Sequence, residues 1–138
     1  MIRSLRFVIL QTVLLAGIAA LWLSGNLTPA FAGHSKWPVS GVLAIATFGL
    51  LLSGFRRYRD ARWVQDILPV IAVIGMQAGI LMALAVMGQS LLSGGDTAKA
   101  VGAFFAAIST ALYVSIAALT SYLWLKFSLR LTDPRDDA

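Results

Sequence analysis

Four long runs of apolar residues, at 7–24, 39–55, 67–92 and 100–125, hold no acidic or basic side chain, and short polar segments separate them. A bilayer's hydrocarbon core, about 30 Å thick, takes roughly 20 apolar residues in helix, so each run predicts a transmembrane helix. The boundaries carry matching signals. Trp22 marks the outer end of the first run, and residues 25–38 form a breaker-rich loop with Asn26, Pro29, Gly33 and the only histidine, His34. Pro38 falls in the first turn of the second helix, where its missing donor costs least. Asp66 is the expected N-cap of the third helix, and Pro69 is its expected hinge within the first turn. The third run, about 26 residues and so roughly 39 Å long, should tilt or project past the membrane. Ser93-Gly94-Gly95-Asp96-Thr97 reads as a tight external turn into the fourth helix. The expected fold is all-α: one polytopic membrane domain of four transmembrane helices, arranged as a short and a long antiparallel hairpin.

Charge then orients this domain. Of the 11 cations, all but Lys36 and Lys99 fall in three clusters: Arg3 and Arg6; Arg56, Arg57, Arg59 and Arg62; and Lys126, Arg130 and Arg135. Positive loops stay cytoplasmic, so both termini and the basic linker at 56–66 are expected inside. The four arginines of the linker read as a cytoplasmic collar on lipid headgroups, with Tyr58 and Trp63 interleaved at the interface. The first span, preceded by Arg3 and Arg6 and followed by Pro29-Ala30-Phe31-Ala32-Gly33, also resembles a signal peptide with an Ala-x-Ala cleavage site. Its apolar core is long for that role, and a retained span is expected.

Composition narrows the function classes. With 59% hydrophobic and 12% charged residues and a mean hydropathy of +0.82, the chain is too apolar for an ordinary soluble domain. The net charge of +5 sits at span ends on one side, as orientation requires, so nucleic-acid binding is not expected. No cysteine is present, and all six acids are aspartates outside the spans. No general base, metal set or buried proton carrier is therefore available within the membrane, and the chain is expected to be no enzyme, with no cofactor and no metal. The same absence weighs against a small multidrug antiporter, which needs a membrane carboxylate.

What remains is small and neutral-polar residues. Gly75 and Gly79 form a GxxxG pair, and Gly88, Ala107 and Ala117 add further close-approach positions in the two long helices. Small residues lie on almost every side of the fourth helix, which should therefore contact helices on more than one side and favours a homo-oligomer. Gln77 and Thr110 are the better candidates for a pore lining or polar pathway, with Ser109 and Tyr113 beside them, since an amide at mid-membrane depth needs a partner. The plain alternative is that serines and threonines bond back to their own helix carbonyls.

In the long hairpin, Leu68-Pro69-Val70-Ile71-Ala72-Val73-Ile74-Gly75-Met76-Gln77-Ala78-Gly79 and Ala106-Ala107-Ile108-Ser109-Thr110-Ala111-Leu112-Tyr113-Val114-Ser115-Ile116-Ala117-Ala118 resemble the MotA/TolQ/ExbB proton-channel family over about residues 63–127. The resemblance implies a minimal channel-type subunit of a proton-motive-force-driven complex in the bacterial inner membrane. It also implies a ring, pentameric in the family, with Thr110 matching the pore-facing threonine. A single-span partner similar to MotB, TolR or ExbD would bring the ionisable aspartate that this chain lacks. The competing expectation is a non-catalytic integral subunit or scaffold that packs by its small-residue faces into a larger membrane assembly.

Overall fold

The computed structural model describes residues 2–28 and 36–132, and the side chains from Leu5 onward within them. Four helices follow one another: α1 (Ile2–Leu23), α2 (Lys36–Gly54), α3 (Tyr58–Leu92) and α4 (Thr97–Thr132). Each is long and apolar enough to cross a membrane, and there is no strand among the described residues. His34, Arg135 and the Ala-x-Ala segment lie outside the described residues.

The segment at 56–66 is not a linker. α3 starts at Tyr58 and takes Arg59, Arg62 and Asp66 into its first turns, so the helix runs to 35 residues. At 1.5 Å per residue that is about 52 Å, well beyond a hydrocarbon core of about 30 Å. Two expectations fail with it. Asp66 is an interior residue and not the N-cap, a position held by Arg57 without a side-chain cap, and Pro69 lies well inside the helix rather than in its first turn. There Pro69 denies the Gln65 carbonyl its usual i+4 donor, a local weakness for a bend. The charged residues escape the helix-breaking logic because Arg and Asp are tolerable helix formers once packing supports the turn, and Ala61 and Val64 are buried there.

Helix ends explain the short connections. After α3 the chain closes through Gly94 at φ 72°, with the Gly95 amide donating to the Ser90 carbonyl at 3.0 Å, a left-handed cap that glycine fills without a Cβ penalty. Asp96 caps α4 by accepting from the Ala98 amide at 2.9 Å. The same left-handed cap ends α2, where the Arg57 amide donates to the Leu52 carbonyl at 2.9 Å, but the residue at φ 59° is Arg56. A side chain in that conformation costs roughly 1–2 kcal/mol. Arg56→Gly should therefore stabilise the α2–α3 corner by about 1 kcal/mol, measured as a rise in the midpoint of denaturant unfolding in detergent.

Packing centres on α4. The most extensive interface is α3 on α4, and α2 packs in the angle between them while α1 rests on α4. The expected short hairpin of the first two spans is thus not a packed pair: α1 and α2 each find α4 rather than one another. Their stripes show why. Val39, Val42, Ala46, Gly49 and Ser53 give α2 one buried face at helical spacing, whereas among its described side chains α1 buries nothing fully and offers only Phe7, Leu10, Gln11 and Leu14 as half-buried positions. The core joins Val39, Val42, Ala61, Val64, Leu68, Ala72, Val114, Ala118, Leu125 and Leu129.

Candidate functional site

The α3–α4 seam is built on small residues. A Cβ placed on Gly79 would overlap Ala111 Cβ and lie 3.2 Å from Ala111 Cα, and one on Gly75 would lie 3.1 Å from Val114 Cγ1. These two backbones approach because the glycines let them. Beside them the buried Ser115 hydroxyl donates to the Ala72 carbonyl across the seam at 3.0 Å. Ala107 and Ala117 are half-buried on α4, Ala117 against the core, and Gly88 is half-buried on α3, where an added Cβ would have nothing within 4 Å.

The pathway candidates do not converge within one chain. Gln77 stands near the middle of α3 and is exposed, and at 3.6 residues per turn it lies roughly 150° from the stripe of Leu68, Ala72, Gly79 and Ala83 that faces inward. Its amide has no hydrogen-bond partner among the described residues. Ser109 is likewise exposed on the outer side of α4. Thr110 is half-buried and donates to the Ala106 carbonyl at 3.2 Å, the back-bond expected of a membrane threonine. Tyr113 packs on the core cluster. Gln77 and Ser109 therefore lie on outward faces of α3 and α4, away from the chain's own core.

A second polar cluster was not legible in advance. The Trp124 indole donates to Gln11 Oε1 at 2.7 Å, and Gln11 Nε2 donates to Ser128 Oγ at 2.7 Å, joining α1 to α4. Ser128 is fully buried, its own carbonyl accepts from Thr132 Oγ1 at 2.9 Å, and Thr132 pairs with Ser53 of α2 at 3.1 Å. Three helices are thus tied near one end by a chain of hydroxyl, amide and indole groups. Gln11 and Trp124 sit at similar depths from the basic ends of their helices, which is the one hint the sequence held. Ser53, Ser128 and Thr132 gave no signal, since isolated hydroxyls on apolar helices usually bond to their own backbone.

The basic residues occupy the same end. Arg56, Arg57 and Arg59 are exposed, with Arg57 near Asp60 at 4.0 Å between exposed side chains, a contact worth little. Arg62 instead joins Gln65, Lys126, Leu129 and Arg130 around a cleft between α3 and α4. Among the described residues no group of three or more His, Cys, Asp or Glu side chains could hold a metal ion. No protein-family model matches the chain, and neither a curated protein nor a solved structure does.

Proposed function

We propose that this chain is a channel-type subunit of a proton-motive-force-driven complex in a bacterial inner membrane, with both termini and the basic ends of its helices in the cytoplasm. It works as a homo-oligomer around a single-span partner whose aspartate carries the proton. The observation that supports this reading best is Gln77: an unpartnered amide halfway along a long apolar helix, on the face turned away from its own bundle. An amide left in hydrocarbon costs several kcal/mol, so the position favours a neighbour that hydrogen-bonds it. Thr110 and Ser109 supply neutral hydroxyls that can line a path without holding charge.

The sign of one substitution separates the cases. If Gln77 faces lipid, Gln77→Leu relieves a penalty and stabilises the monomer. If it faces another copy, the same change weakens the oligomer by about fivefold per interface, from about 1 kcal/mol of lost hydrogen bonding. Native mass spectrometry in a membrane mimetic should show several copies for the wild type and fewer for Gln77→Leu. A wild-type monomer that Gln77→Leu stabilises sinks the proposal. For the channel itself, proton flux in liposomes should require a co-reconstituted single-span protein bearing the aspartate, and flux from this chain alone contradicts the reading. In the alternative, a scaffold of a larger assembly, affinity purification recovers one copy in fixed ratio with an unrelated enzyme or transporter.

A further inference from the structure

The cleft between the basic ends of α3 and α4 has a volume of about 380 Å³ and is lined by Arg62, Gln65, Lys126, Leu129 and Arg130. Its composition is uneven. Three of the five lining residues are cationic and one is a neutral amide, while Leu129, only 2% exposed, forms an apolar floor. Lys126 and Arg130 are one turn apart on α4, so their charged ends reach the cleft from the same side. Lys126 is steadied by the ring of Tyr122, its Nζ 5.4 Å from the ring centroid. Asp66 lies one turn beyond Arg62 on α3, so the positive charge of the cleft is carried chiefly by Lys126 and Arg130 of α4. The helix dipoles do not decide the matter, because the positive start of α3 and the negative end of α4 offset one another at this level.

We infer that this cleft is a binding site for a phosphate group, held between Lys126 and Arg130 on α4 and the Arg62–Gln65 turn of α3. Guanidinium and amide donors bind phosphate oxygens through several hydrogen bonds at once, and the ammonium adds a compact charge. The site shares only Arg62 with the basic collar, and Arg56, Arg57 and Arg59 do not line the cleft. It rests on the cleft alone and holds whether or not the chain is a channel subunit. A phosphate can arrive on a phospholipid headgroup or as a soluble anion, and Leu129 at the floor suits the glycerol end of a lipid.

The test uses the full chain in nanodiscs of phosphatidylcholine. One arm titrates in phosphatidylglycerol and a second adds inorganic phosphate, with bound anion counted by native mass spectrometry. Saturable binding of about one phosphatidylglycerol per chain is expected, weakened about thirtyfold in Lys126→Gln/Arg130→Gln, from about 1 kcal/mol per cation near a membrane surface. Arg56→Gln/Arg57→Gln removes the same charge outside the cleft and should weaken binding no more than about threefold. Saturable binding of inorganic phosphate with the same ranking of variants also supports the site and assigns it to a soluble anion. Equal losses in both double variants mean diffuse attraction and overturn the inference, as does absence of saturable binding in both arms. Thermal midpoints of the variants in detergent confirm that they fold, which is expected because all four substituted side chains are exposed.

Discussion

Gly79→Val destabilises the α3–α4 hairpin by about 3 kcal/mol or more, the largest single effect expected in this protein. Overpacking a well-filled contact usually costs about 1–3 kcal/mol because side chains can yield. Here the obstacle includes backbone: the new Cβ overlaps Ala111 Cβ and lies 3.2 Å from its Cα, so the helices themselves must separate. Separation has further consequences. It stretches the Ser115 bond to the Ala72 carbonyl and unseats the core around Val114 and Ala118. A graded series distinguishes this cause from helix propensity. Gly75→Ala, whose Cβ meets only Val114 Cγ1 at 3.1 Å, should cost much less, and Gly88→Ala, with nothing within 4 Å, should be neutral or stabilising by up to about 1 kcal/mol. Equilibrium unfolding in mixed detergent micelles measures all three. Ala111→Gly in a Gly79→Ala background should restore most of the loss, and a double-mutant cycle showing no coupling between the two positions would remove the seam from the account.

Gln11→Leu releases α1 from the bundle. α1 rests on α4 through a short stripe, Phe7, Leu10, Gln11 and Leu14, and everything from Leu15 to Leu23 is exposed. Leucine keeps the bulk and apolar contact of that stripe but removes both hydrogen bonds of Gln11, leaving the Trp124 indole and the buried Ser128 hydroxyl to find other partners. Interhelical hydrogen bonds within membranes average about 0.6 kcal/mol and reach about 1.7, so losing two costs about 1–3 kcal/mol. Because α1 has little else, that loss should appear as local detachment before global unfolding. Hydrogen exchange should accelerate in residues 5–23 while α3 and α4 keep their protection. The Trp124 emission should also shift as its indole loses a fixed acceptor. Faster exchange spread evenly over all four helices would mean that Gln11 holds the whole fold and not the α1 contact.

These two residues mark how far the pattern of the chain reaches. Gly79 was legible because a GxxxG pair in an apolar helix has one common structural use, and its partner helix followed from the tight Ser93–Thr97 turn. Gln11 was visible as a polar residue, but its partners lie more than 110 positions away, and nothing local distinguishes Ser128 from any other hydroxyl on a lipid-facing helix. Asp66 and Pro69 misled for a related reason. Both are frequent at helix starts, yet the buried Ala61 and Val64 continue the inward stripe of α3 one and two turns before them, and packing carries the helix through.

The sequence by itself determined the four helices, their approximate limits and the side on which positive charge gathers, because length, hydropathy and charge placement act locally and need no knowledge of neighbours. It determined also that the apolar runs 7–24, 39–55, 67–92 and 100–125 hold no acidic or basic side chain. Only the tertiary structure decided that α4 is the common partner of the other three helices, that α1 and α2 are not a pair, and that Gln77 turns outward while Gln11 turns inward. Those outcomes depend on which small-residue face meets which, and in a chain apolar on nearly every side the hydropathy pattern does not rank one face above another. Contact between particular atoms does, as at Gly79 against Ala111 and at Gln11 between Trp124 and Ser128.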